Sequence, residues 1–232
     1  MTAGPTREAI DAARYLSNPS TGKMGYALAA EALLRGAEVT LISGPTHLEP
    51  PAGLNLVRVT SAEEMFNATL NQAQGADLVL KSAAVADYRP EVRARGKVKK
   101  ESLRRQAARS GPGERVISLR LLPTPDILEE VGRRKKPGQV LVGFAAETGD
   151  LETNARKKLS KKNLDMVVAN RIGGEGEGFE ADTNRALVLD RDGRTTELPM
   201  MTKREMAARI LDLAELLLPA RSAPQRGAGG RT

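Results

Sequence analysis

Leu56-Val57-Arg58-Val59, Ser61-Ala62-Glu63-Glu64 and Asp77-Leu78-Val79-Leu80, taken in that order, decide the fold. The outer two are short apolar runs of the length of buried strands. Between them, Ser61 with Glu64 three residues later has the form of a capping box opening a helix through about Leu70. Strand, helix and strand at this spacing make a βαβ unit, whose two strands run parallel. The pattern continues upstream. Residues 23–35 carry Met24, Ala27, Leu28 and Leu34 at helical spacing with Gly36 as a stop, and Val39-Thr40-Leu41-Ile42 is a strand ended by Ser43-Gly44-Pro45. The expected class is α/β, a mostly parallel twisted sheet flanked by helices.

Downstream, residues 89–110 interrupt the alternation with a run of Arg and Lys and little apolar content. Such a segment cannot offset its ordering entropy by burial and reads as an exposed, mobile excursion. Regular patterning returns with Val116–Leu122, a helix opened by Pro125 and running to about Val131, and the strand Val140–Phe144. Leu151, Ala155 and Leu159 mark a helix face, and Met166–Val168 another strand. Gly173–Gly178 is a flexible glycine-glutamate loop. Ala186–Leu189, a turn at Asp192-Gly193 and Thr195–Leu198 form a small antiparallel hairpin, and a last helix carries Met206, Ile210, Leu213 and Leu217 on one face. The domain is expected over residues 1–218, with a disordered Arg/Gly/Ala/Pro tail over 219–232.

Composition narrows the chemistry. With no Cys and a single His, the 232 residues offer no disulfide, thiol nucleophile, zinc site or Ser-His-Asp triad. Catalysis must come from carboxylates, amides, amines, backbone N–H groups or an oxygen-bound metal. A formal charge of +7 favours an anionic partner. Aromatic residues at 3% leave few platforms for stacking single-stranded nucleic acid. No apolar run approaches the roughly 20 residues of a membrane span, and a cytoplasmic protein is expected.

Ligands of open α/β sheets sit beyond the C-terminal strand ends. Three small-residue loops fall at such places: Thr2–Arg7, Ser82–Asp87 and Gly143–Thr148. Tight strand-helix packing explains any one of them equally well; together they favour a nucleotide-sized crevice. Asn18–Lys23 is superficially like a P-loop, but Ser17 stands at the leading glycine and Met24 at the metal-binding hydroxyl. Ser20, Thr21 and Gly22 remain a credible anion cradle at a helix start. Lys158 and Lys162, one helical turn apart with no acidic partner on their stripe, are either solvated or hold an anion between them. Two rival functions are weaker. A nicotinamide-dependent oxidoreductase needs G-x-G-x-x-G and an acidic residue ending the second strand, and the chain has only Gly4 and Ser43-Gly44 there. An RNA-binding module would rest on residues 89–110 and the tail alone.

Several strings then coincide in order: Thr2–Glu8, Arg14–Asn18, Ser20–Gly25, Ala84–Tyr88, Lys97–Lys100, Pro125–Leu128, Gly143–Thr148, Asn154 with Lys158-Leu159 and Lys162, and Asp165 with Ala169-Asn170. Over about residues 2–215 the chain resembles the bacterial phosphopantothenoylcysteine synthetases, ligases of coenzyme A biosynthesis often fused behind a flavin-dependent decarboxylase. The resemblance implies a Rossmann-like homodimer that uses CTP and Mg²⁺. The carboxylate of 4′-phosphopantothenate is activated as an acyl-cytidylate, and cysteine's amine displaces CMP. It further implies that Asp87, Lys97, Pro125, Asp126, Ile127, Leu128, Phe144, Lys158 and Lys162 contact CTP, with Lys97 on a closing flap. Arg14, Asn18, Ala83 and Ala84 then bind the acid and its activated form, and Asn18 and Lys97 serve catalysis. Asp87 is the candidate ligand of a metal or of the ribose. One departure stands out. The family's first strand precedes Thr-Ala-Gly, whereas here only Met1 does, so a central strand is expected to be missing, as in a fragment or a chain with a misplaced start.

Overall fold

Strands with near-continuous apolar runs bury both faces, and this requires helices on each side of the sheet. A computed structural model of the protein describes residues 1–94, 96–99, 108–111, 114–116, 118–147, 149–171, 178 and 180–219. Residues 173–177 of the glycine-glutamate loop, Thr148, residues 100–107 of the basic run and the tail from residue 220 lie outside them.

The chain opens with β1 (Thr2–Ala3), a ribbon of β2 (Arg7–Ala9) and β3 (Tyr15–Ser17), and α1 (Lys23–Leu34). It continues through β4 (Thr40–Ser43), β5 (Asn55–Arg58), α2 (Ala62–Ala73) and β6 (Leu78–Lys81). Next come β7 (Tyr88–Pro90), a short hairpin of β8 (Ala108–Gly111) and β9 (Glu114–Val116), and β10 (Leu121–Pro123), which returns to pair with β7. The second half holds α3 (Ile127–Arg134), β11 (Val140–Glu147), α4 (Leu151–Lys161), β12 (Met166–Arg171), β13 (Thr183–Asp190), β14 (Thr195–Thr202) and α5 (Lys203–Glu215).

Among the described residues the main sheet has eight strands in the order β14-β13-β12-β11-β6-β1-β4-β5. Its antiparallel pairings there are β12 with β13 and β13 with β14, the last two strands forming the edge hairpin. One face buries Tyr26, Leu28 and Ala29 of α1 with Met206, Ile210 and Leu211 of α5. The other buries Met65 of α2, Ile127 and Val131 of α3, and Ala155 of α4. Alternate residues of β11 serve the two layers: Val140 and Val142 face the first, Leu141 the second.

Two expectations are corrected, at α3 and at β11, while β1 at the sheet centre is two residues long. Thr2 and Ala3 register with Ile42 and Ser43, and the Met1 amine donates to the Thr40 carbonyl at 2.7 Å. Pro125 does not open α3; Asp126 is the N-cap, its Oδ1 accepting from Glu129 N–H at 2.9 Å, and the helix runs on to Arg134. Residues 144–147 are not a loop but the continuation of β11, because β12 supplies parallel partners from Val142↔Met166 through Glu147↔Arg171. The helix at Ser61 is capped as expected, through Glu64 N–H to Ser61 Oγ at 3.2 Å. The Glu64 carboxylate, however, accepts from Thr60 N–H rather than closing a reciprocal box, and α2 runs to Ala73.

Candidate active site

From β1 the chain moves outward to β4 and β5, then returns to place β6 on the opposite side of β1. The crevice beyond these C-terminal ends is the topological switch point, where such sheets bind ligands. Helix α1 starts here. Its N-cap is Gly22, at φ 84°, with no side-chain acceptor, and its first turn holds no acidic residue. Helices α2, α3, α4 and α5 are all capped by side chains, from Ser61, Asp126, Asp150 and Thr202. Gly25 lets α1 press on the strand ends: a Cβ there would stand 2.5 Å from Ala3 Cβ and 2.8 Å from Ser82 Oγ.

The loop after β6 is held from several sides. Ala83 N–H donates to Thr2 Oγ1, Ala84 N–H to the Gly4 carbonyl, and Ala86 N–H to Thr6 Oγ1. Asn18 Nδ2 donates to the Ala84 carbonyl at 2.9 Å, and Thr124 Oγ1 to the Ala86 carbonyl. Ala83 and Ala84 thus have their amides committed; the Ala83 side chain is packed in the core and Ala84 is half-buried. Asp87 follows with its side chain exposed.

Three lysines stand near the C-terminal ends of β6 and β11. Lys158 on α4 donates to the Phe144 carbonyl at 2.7 Å. Burial is the chief reason its ammonium is pushed below the usual lysine range; Glu147 and Asp126 oppose the shift, and Lys162 adds to it. Lys162, the C-cap residue of α4, pairs with Asp126 at 2.8 Å and with Glu129. The reading of an unpartnered lysine stripe is therefore corrected at Lys162: its acids come from α3, out of reach of any local pattern. Burial works against the charge of Lys162, but those two carboxylates outweigh it and raise its pKa. The third, Lys81, ends β6 and donates to the Ala83 carbonyl at 3.0 Å. Burial, aided by Lys158, lowers its pKa to about 8.

The side chains of Ile127 and Leu128 are core, 2% and 5% exposed, so any ligand contact from them is through the main chain at the start of α3. Phe144 is half-buried. The β6 partner of β11 ends at Gly143↔Lys81, and among the described residues no strand pairs with that edge of residues 144–147.

Arg14 grips Asp11 through Nε at 3.1 Å and a terminal nitrogen at 2.5 Å, and also donates to the Val98 carbonyl. Asp11 in turn accepts from the Ala13, Arg14 and Val98 amides. The Arg14 hydrogen bond, followed by the Ala13 amide, holds its carboxyl well below the usual range. Val98 is thereby tied beside the β2–β3 ribbon, while the Lys97 side chain next to it is exposed and is not drawn into the lysine cluster. Sequence reasoning missed Lys81 and Asp11. A lysine ending a buried strand run was the available signal for Lys81; Asp11 gives none without its long-range partner Val98.

No group of three or more metal-ligating side chains occurs among the described residues. Mg²⁺ commonly takes one or two carboxylates and completes its shell with phosphates and water, and the exposed Asp87 carboxylate fits that role.

A switch-point crevice beside the start of α1, with lysines grouped near the ends of β6 and β11, defines a Rossmann-like α/β domain. Residues 1–217 match the family described as DNA/pantothenate metabolism flavoprotein C-terminal domain, and the chain belongs to that family. It is 48% identical over 212 residues to the coenzyme A biosynthesis bifunctional protein CoaBC of Bacillus subtilis, covering 91% of this chain and 49% of that protein. The Haemophilus influenzae protein of the same name is 43% identical, with 91% of this chain and 50% of the relative covered. The chain thus spans about half the length of the curated relatives it matches. Among solved structures it is similar to the C-terminal domain of a CoaBC protein, at TM-score 0.75 and 42% identity over 93% of this chain and 92% of that one. No helix among the described residues is long and apolar enough to cross a membrane.

Proposed function

We propose that residues 1–218 are the phosphopantothenate–cysteine ligase unit of coenzyme A biosynthesis, acting in the cytoplasm alongside a flavin-dependent decarboxylase unit. The observation that carries this reading is the grouping of Lys81, Lys158 and Lys162 about the C-terminal ends of β6 and β11, in a chain of this family. A carboxylate is a poor electrophile, and a nucleotide activates it without any enzyme nucleophile; a chain with no Cys and one His is suited to that chemistry.

In the first step a carboxylate oxygen of 4′-phosphopantothenate forms a bond to the α-phosphorus of CTP, and the bond to pyrophosphate breaks. Lys158 and Lys162 hold the outer phosphates, and their charge offsets what accumulates on the leaving group. For Lys162 this means exchanging Asp126 and Glu129 for phosphate oxygens. Main-chain groups around Phe144, on the edge left free by β6, and at Pro125–Leu128 read the base and ribose. Asp87 would hold Mg²⁺, which when bound would further neutralise the triphosphate. Lys97 closes over the nucleotide from the segment tethered at Val98. In the second step cysteine's amine attacks the acyl carbon, CMP leaves, and the amine proton is lost. Arg14, Asn18 and the Ala83–Ala84 loop hold the acid through both steps, and Asn18 donates to the acyl oxygen as charge grows there.

The decisive experiment is pyrophosphate release with 4′-phosphopantothenate, CTP, Mg²⁺ and cysteine. CTP-dependent formation of the amide supports the assignment, and its absence overturns it. We also propose a homodimer, supported by Tyr15, Tyr88, Val92 and Leu121, large apolar side chains left exposed on and beside the two ribbons.

A further inference from the structure

Lys81 is absent from the residues that the family resemblance picks out, yet it occupies the innermost position of the cluster. As the last residue of β6 it registers with Thr2 of β1 and Gly143 of β11, at the switch point itself. An ammonium carries three donors. Lys81 uses one, on the Ala83 carbonyl, and among the described residues no carboxylate pairs with it. Two donors are therefore unspent in a poorly solvated place. On one side it faces Lys158 of α4, Asp126 at the start of α3 and Asp87 beyond β6. On the other it shares the Ala83–Ala84 loop with Asn18, which holds the adjacent carbonyl.

We infer that Lys81 is the cation that meets the reacting ends of both substrates, the carboxylate of the acid and the innermost phosphate of the nucleotide, leaving the outer phosphates to Lys158 and Lys162. The inference rests on the ligase reading and locates its first step. Bringing a carboxylate to a phosphate joins two anions, and their repulsion opposes the reaction. A preorganised ammonium with two free donors can take one oxygen from each partner, and its benefit grows as charge shifts onto the phosphate oxygens. No proton is transferred: the new oxygen–phosphorus bond forms, the bond to pyrophosphate breaks, and Lys81 stays charged throughout. Loss of its proton should therefore slow the step. Asp126 and Asp87 act to retain that proton, while burial and Lys158 act to remove it.

The test is pyrophosphate release without cysteine, beside CTP titration, on the full chain and its variants. In K81M the release rate is expected to fall roughly 100-fold, the scale of losing one transition-state donor. Its CTP dissociation constant should move less than about 5-fold, under about 1 kcal/mol, a result that also shows the variant is folded. K158M, which loses a hold on the outer phosphates and on the leaving group, should raise the CTP dissociation constant and lower the release rate together, unlike K81M. K81R keeps the charge and a donor for Ala83; it should recover part of the rate and move the alkaline fall of kcat/KM, expected near pH 8, to higher pH. Wild-type release in K81M overturns the inference. So do K81M and K81R that are equally slow with identical alkaline limbs, since K81R keeps both the charge and the carbonyl tie and neither would then account for the loss. A wild-type chain that releases no pyrophosphate from CTP instead removes the ligase reading on which the inference stands.

Discussion

Asn18 gives one N–H to the Ala84 carbonyl, leaving its amide oxygen and second N–H for a ligand. Because the acyl oxygen gains charge only when the amine attacks, Asn18→Ala should still release pyrophosphate while the acyl-cytidylate accumulates. Rapid quench and chromatography would resolve the two, and simultaneous loss of both half-reactions would contradict the role. Asp11 works differently, as an anchor. Its carboxylate collects three backbone amides and the Arg14 guanidinium, and its pKa is depressed. A carboxyl depressed in the folded state contributes stability above its unfolded pKa of about 4, and the contribution is lost as pH falls from there toward the folded value. Asp11→Asn should therefore lower the urea midpoint at pH 7, with the gap from wild type narrowing below about pH 4. A gap that is the same at pH 3 and pH 7 would contradict the anchor. Freed from this tether, Val98 and Lys97 should close less well, so the KM for CTP should rise.

Helix α1 depends on how closely it approaches the strand ends. A methyl at Gly25 would meet Ala3 Cβ at 2.5 Å and Ser82 Oγ at 2.8 Å, both in elements that cannot yield without moving the crevice. Gly25→Ala should cost about 1–3 kcal/mol, the scale of overpacking a core, read as a lower urea midpoint at unchanged slope. CTP affinity should weaken with it, because the start of α1 shifts against Gly4. At this scale the sequence is most legible where the cause is local. Ser61, three residues before Glu64, marked a helix start that the structure retains, and the alternation of strands and helices placed β4, β5, α2 and β6. It was least legible where a partner lies far along the chain. Residues 144–147 look like a small-residue loop until β12 supplies a ladder, and Lys162 looks unpartnered until α3 delivers Asp126 and Glu129. Lys81 was passed over for a related reason: a lysine ending a strand is ordinarily solvated, and only the packing of α3 and α4 over the strand ends buries it.

For the molecule as a whole, the open question is what covers the two ribbons. The ribbon β2–β3 packs beside β7, which pairs with β10, so they make one continuous face off the main sheet. On and next to it Tyr88 is 56% exposed, Val92 74%, Tyr15 49% and Leu121 43%. Arg7 lies 4.6 Å from the centre of the Tyr15 ring, which holds that ring flat against the surface. A second copy of the chain is the simplest occupant, because a two-fold axis sets the same apolar patch against itself. The ribbons also carry Arg14 and the tether to Val98, so pairing there would stiffen the side of each crevice where we propose the acid binds. Sedimentation velocity at micromolar concentration should give twice the chain mass. Tyr88→Asp combined with Leu121→Asp places two charges on the patch and should yield a monomer with a near-native circular dichroism spectrum and a raised KM for 4′-phosphopantothenate. A monomeric wild type would remove the dimer, and a double variant that still dimerises would move the interface off the ribbons.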